Sequence, residues 1–318
     1  MTRRHTAQIA LATIAFGLLS TLSLPTFGYV PSRTEESKTT MRWFGSNCIY
    51  IRPNSVGSSQ ITDGSEVVAI GSAMTDWEEA TKSCSYMRFQ RLDPSPDSLF
   101  GTDKRGPNEV AVVFVEGEWA VLDQNNEYTR DPMANALTTI SFIDNKDSDQ
   151  DGRIIDADVE LNGSSSRGTK FGTDGSAGKV DVENLVAHEL GHVLGLDHTC
   201  FSGRGSQLDG DGNPVPSCFS KAASLNPALT KEQKDATMFF TATSGETKKR
   251  SPEPDDIDGI CSTYPIAKDP GQCVQVDLTP GCADGCAVSD DGALGWVPLA
   301  AVLFVAFLLG RRRRLPAS

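Results

Sequence analysis

Polarity divides the chain into two uncharged apolar stretches near its ends and a middle built of short alternating or periodic runs. Asn47 to Arg52 alternates as a strand does. From Glu66 to Lys82, Val67, Ile70, Met74 and Trp77 recur at helical spacing, which predicts an amphipathic helix. Tyr86 to Arg91 and Glu109 to Glu116 predict strands, the second apolar enough to be largely buried. Ala136 to Ile143 and Ile154 to Leu161 predict two more, divided by an acidic turn. A Gly/Ser loop over Asn162 to Lys179 leads into Val182 to Leu194, a strong helical run with Asp181 placed to cap it. Beyond Gly195 the pattern is irregular until a last helix starting near Pro254. Strands mixed with helices, and no internal repeat, predict one α+β domain from about 41 to 265.

The ends carry a different message. Residues 1–28 are expected to be a secretory signal: Arg3 and Arg4 form the basic start, Ile9 to Ser20 the apolar stretch, and Thr26 and Gly28 the small residues at a cleavage site. Gly295 to Gly310 is uncharged and is followed at once by Arg311 to Arg314. A bilayer core asks for about 20 apolar residues, so this is a short span, and its arginines should stay cytoplasmic. Residues 29–265 are then the expected domain, 266–294 a flexible linker holding Cys282 and Cys286, and 295–318 a membrane anchor. A cysteine in a small-residue stretch, an apolar segment and an arginine cluster together resemble the C-terminal sorting tags of myxobacterial surface proteins. That resemblance implies an exported protein, displayed at the cell surface (outer membrane) or released.

Composition narrows the function. There are 42 Asp and Glu against 29 Lys and Arg, and six of the basic residues sit at the ends. So acidic a body is a poor partner for nucleic-acid phosphates. Eight cysteines with a signal sequence suggest disulfides. The near pairs Cys200–Cys218 and Cys261–Cys273 are the first guess, although spacing does not determine connectivity.

The chemistry concentrates in His188-Glu-Leu-Gly-His192-Val-Leu-Gly195-Leu-Asp-His198. His188 and His192 are four apart, hence on one face of a helix one turn from each other. Two imidazoles so placed can reach a single Zn²⁺ at about 2.0–2.1 Å each. Glu189 is placed to face a water at that metal. Gly195 can take positive φ, end the helix and return the chain so that His198 supplies a third nitrogen. Three neutral imidazoles leave the double charge of the ion uncancelled and one position open. The remaining histidine, His5, lies in the expected signal, so none is left for a second histidine-bound zinc.

HExxHxxGxxH is the pattern of the metzincin metalloproteases, and the chain most resembles their matrixin branch. Asp255-Asp-Ile-Asp-Gly-Ile-Cys-Ser-Thr-Tyr264 is similar to the matrixin C-terminal helix, and Gly152 to Asn162 to the strand before the active-site helix of bacterial members. Met238 is the candidate for the family's methionine turn, a structural support beneath the metal. Residue 240 is Phe, where astacins and serralysins place a zinc-binding Tyr. Thr199 follows the third His where matrixins usually have Ser, and the cysteine-switch propeptide is absent. The resemblance implies a twisted, mostly parallel five-stranded sheet with an active-site helix and an irregular C-terminal subdomain. It also implies a zinc endopeptidase acting on extracellular proteins or peptides as a monomer. Zinc would hold the attacking water and polarise the scissile carbonyl, Glu189 would shuttle the proton, and the substrate would lie along the edge strand Ala136 to Ile143. Phe239 and Phe240 would border the pocket for the side chain beyond the cut. The alternative from another class is a non-catalytic surface adhesion or binding module on the same scaffold.

One acidic turn has calcium-loop spacing. Asp147, Asp149 and Asp151 stand at positions 1, 3 and 5 with Gly152 at 6, as in an EF-hand loop. Position 12 is Asp158 rather than Glu, and a solvated acidic turn is the equal alternative. Asp209-Gly-Asp211-Gly-Asn213 is a weaker echo.

Overall fold

Where the apolar runs meet decides the architecture. The structure, a computed structural model, describes residues 28–97, 100–103, 107–122, 124, 128–164, 168–201, 207–219 and 229–278. One sheet is made of β1 (Arg42–Trp43), β2 (Cys48–Pro53), β3 (Arg88–Arg91), β5 (Val110–Val115), β6 (Ala136–Phe142) and β7 (Arg153–Asn162), while β4 (Pro107–Asn108) lies outside it. β7 carries β6 antiparallel along one edge and divides its other edge between β1, at its start, and β5, at its end. β5 pairs with β2 and β2 with β3, both parallel. The strands thus fill five positions, mostly parallel, and the sixth strand is the two-residue β1 in line with β5. So short a strand shows no alternation to read.

Helix α1 (Ser65–Thr81) buries Ala69, Ile70, Ala73, Met74 and Trp77. It packs on α2 (Val182–Val193), and the Trp77 indole donates to the Ala187 carbonyl at 2.8 Å. Asp181 caps α2 as its position predicts, its side chain accepting from the amide of Asn184 at 3.0 Å. β8 (Phe171–Gly172) pairs parallel with β9 (Val180–Asp181), which runs directly into α2, so a short strand interrupts the Gly/Ser loop and another follows it. α3 (Lys231–Asp235) starts in a Thr230/Gln233 capping box, and α4 (Pro254–Thr263) begins at Pro254.

β7 is buried on both faces. Ala157, Val159 and Leu161 enter the core, while Asp156, Asp158 and Glu160 alternate with them and are also buried. The acids survive there because they are bonded. Asp158 accepts from the amides of Gly101 and Ala111, and Glu160 pairs with Arg130. Burial, with Asp158 alongside, pushes the Asp156 carboxyl up to about 7.

Three disulfides join described cysteines: Cys48–Cys273, Cys84–Cys261 and Cys200–Cys218. The expected Cys200–Cys218 pair is present. The expected Cys261–Cys273 pair is not: α4 lies against the end of α1, which hands Cys261 to Cys84, and Cys273 lies beside β2. Three disulfides point to an oxidising, exported environment. Beyond residue 265, where the domain was expected to end, β10 (Val276–Asp277) pairs with β4 and Cys273 ties to β2, so the chain stays on the fold through Asp277. Among the described residues no helix is long and apolar enough to cross a membrane. The expected signal (apart from Gly28), Cys282, Cys286 and the anchor at 295–318 lie outside the described residues.

A candidate metal centre on helix α2

α2 brings His188 and His192 to one side with their ring centroids 4.9 Å apart. The helix then ends at Leu194, and Gly195 adopts φ +93°, the positive value that its place in the sequence suggests. A Cβ there would stand 2.6 Å from the Met41 carbonyl, so the turn needs glycine twice over. The returning chain is fixed by Asp197, whose amide donates to the Val30 carbonyl at 2.7 Å. The Asp197 carboxylate in turn accepts the His198 amide at 2.7 Å.

Three ring nitrogens converge as a result. His198 Nε2 lies 3.2 Å from Nε2 of both His188 and His192. The second nitrogens of the two helix imidazoles are already engaged. His188 Nδ1 donates to the Thr237 carbonyl at 2.6 Å, and His192 Nδ1 to the Leu196 carbonyl at 2.8 Å. These bonds fix the tautomers and leave both Nε2 atoms as lone pairs. Burial, then the nearby Lys249 cation and the neighbouring imidazoles, holds His188 well below the usual histidine range. Burial also depresses His198, with the neighbouring His192 next in weight. Two imidazole lone pairs facing a third Nε2 make a donor set that can hold a transition-metal cation, zinc among them. Among the described residues this is the grouping able to hold a metal ion.

Glu189 is buried, and burial raises its carboxyl above the usual range. Its Oε2 accepts from the Thr138 hydroxyl at 2.7 Å, a contact between α2 and strand β6. Met238 is fully buried under α2, where a Cβ on Gly191 would lie 2.1 Å from its sulfur. The turn at Met238 is held by Asp256 of α4, whose carboxylate accepts the amides of Thr237 at 2.8 Å and Met238 at 3.2 Å. The Thr199 amide donates to the Met238 carbonyl at 3.1 Å. The same turn supplies the carbonyl that orients His188.

The structure therefore brings together His188, Glu189, His192, His198 and Met238. It does not gather Asp147, Asp149 and Asp151. Asp147 and Asp149 are exposed, whereas Asp151 is buried and accepts from the Ser37 hydroxyl and, at 2.9 Å, the Asn145 amide. Asp209 folds onto its own loop, accepting from the amides of Asp211 and Asn213. Thr138, the Thr237 carbonyl and Asp256 were not foreseen as parts of the site. Asp256 lies in the patterned stretch Asp255 to Tyr264, but the sequence shows neither its partners nor those of Thr138. A scan of the chain against protein-family models and a search of curated proteins find no match.

Proposed function

We propose that this chain is a zinc-dependent endopeptidase of the metzincin class, matrixin-like, exported to act on extracellular proteins or peptides. The carrying observation is the convergence of three Nε2 atoms beside a buried carboxylate on one helix. His188, His192 and His198 would hold the metal. Zinc bound there supplies Lewis acidity and makes water a better nucleophile at neutral pH. Glu189 accepts the proton of the attacking water and returns it to the leaving amine. Burial, which raises its pKa, suits a group that must take up and release a proton in one cycle. The Thr138 hydroxyl fixes the carboxylate's orientation.

β6 supports the substrate class. Its pairing within the sheet is to β7 alone, so among the described residues its outer edge is free to pair with an extended peptide. The same strand carries Thr138, so a peptide paired with it would lie near the proposed general base. The mostly parallel sheet and the methionine turn fit the class as well. Export is supported by the disulfides; display on the outer membrane through residues 295–318 belongs to the same proposal.

The test is cleavage of a broad peptide library by the purified, oxidised protein against a Glu189→Ala control. Both should carry zinc, and loss of the base should lower the rate by roughly 10²- to 10⁴-fold. Equal inertness of the two zinc-loaded proteins would favour a binding module instead.

A further inference from the structure

Lys249 is 1 % exposed, in a place where lysine is seldom found. Its ammonium is bonded to two main-chain carbonyls, those of Phe239 and, at 2.7 Å, Thr241. It also lies 5.8 Å from the centre of the Phe239 ring. Phe239 and Thr241 belong to the segment that leaves the turn at Met238. The other end of the lysine is fixed elsewhere. Its amide donates to the Asn184 side chain at 2.8 Å, and the next residue, Arg250, pairs with Asp181 at 2.7 Å and Glu183 at 3.5 Å. Those three partners are the cap and first turn of α2. Lys249 is therefore a strut from the base of the helix that carries His188, Glu189 and His192 to the chain segment facing it.

An apolar side chain of similar length would avoid the cost of burying an ammonium. It would leave two inward-facing carbonyls without that donor. The two bonds explain why a cation stands here. Burial pushes the Lys249 ammonium down to about 8, which leaves it charged at neutral pH.

Resting on the endopeptidase reading, we propose that Lys249 is a specificity-determining positioning residue. It sets the spacing between α2 and the Phe239–Thr241 segment, which the matrixin resemblance makes one side of the pocket for the substrate side chain that follows the cleaved bond. It touches no reacting atom.

The experiment uses the full zinc-loaded protein, with Lys249→Met to remove the charge and Lys249→Arg to keep it. Amide hydrogen exchange over residues 239–245, zinc content, steady-state kinetics and cleavage-site profiles are measured on each. Lys249→Met should retain zinc but exchange faster over 239–245. Its KM should rise roughly tenfold with a smaller change in kcat, as expected for losing hydrogen bonds from a charged group. Its preference at the first position after the cut should broaden. Lys249→Arg should restore protection and selectivity, shifted toward smaller side chains by the bulk of its guanidinium. If Lys249→Met does not fold, the shifted profile of Lys249→Arg decides. An active wild type whose variants keep its profile overturns this inference alone, as does unchanged exchange over 239–245. A wild type that cleaves nothing overturns the endopeptidase reading, and this inference with it.

Discussion

Gly191 stands between His188 and His192 with no space for a methyl group. A Cβ there would meet the Met238 sulfur at 2.1 Å and the Trp77 ring at 3.2 Å, and both side chains are fully buried. Alanine in a helix interior is worth about 1 kcal/mol over glycine. Overpacking costs about 1–3 kcal/mol, so the clash outweighs the propensity. Gly191→Ala should be less stable than wild type in urea unfolding, and an unchanged midpoint would show that the methionine has room to move. The residues of the candidate site were legible because their spacing is local: His188, Glu189, His192, Gly195 and His198 fall within one helix and one turn. Thr138 and the Thr237 carbonyl were hidden. Each meets α2 across 51 and 49 residues of chain, and the contacts depend on how separate elements dock.

Elements with a full period were visible and short ones were not. α1, α2 and α4 show apolar spacing or caps, and each begins within a residue of its expected start. β1, β4, β8, β9 and β10 are two residues each, too short to alternate, and are defined by the partner they bond. The capping box of α3 was present as Thr230 and Gln233, but five helical residues carry no periodicity to confirm it. The first turn of α4 carries a cost that the sequence hints at through its adjacent acids. Burial, then Asp256, Asp258, Asp209 and Asp211, pushes the Asp255 carboxyl up to about 8, and its Oδ2 is buried without a hydrogen-bond partner among the described residues. A folded-state pKa above the unfolded value means the folded protein holds a proton that the unfolded chain releases. This contribution to stability is present below about pH 4 and is lost as the pH rises toward 8. Asp255→Asn should therefore be more stable than wild type at pH 8, with the gap closing toward pH 4. Thermal unfolding across that range measures it, and a constant gap would mean Asp255 is ionised throughout.

At the scale of the molecule, the disulfides tie the late chain back to the early chain. Cys48–Cys273 spans 225 residues and Cys84–Cys261 spans 177, whereas Cys200–Cys218 closes a loop of 18. Sequence proximity chose correctly for the local loop and wrongly for Cys261, because α4 packs beside α1 and residues 272–277 run beside β2 and β4. A longer loop leaves the unfolded chain more freedom when its bond is removed. Replacing Cys48 and Cys273 by Ala should cost about 2–5 kcal/mol, more than replacing Cys200 and Cys218. Urea unfolding of the two double variants decides the order.

The fold aims three imidazoles from α2 and its returning loop at one point, and the direct measurement is zinc X-ray absorption on the purified, zinc-loaded protein. One equivalent of zinc with three nitrogen neighbours at about 2.0–2.1 Å and an oxygen in the remaining position is expected, and His188→Ala should lose it. No stoichiometric zinc, or zinc surrounded mainly by sulfur or carboxylate oxygen, would contradict the metal centre and the hydrolytic chemistry built on it.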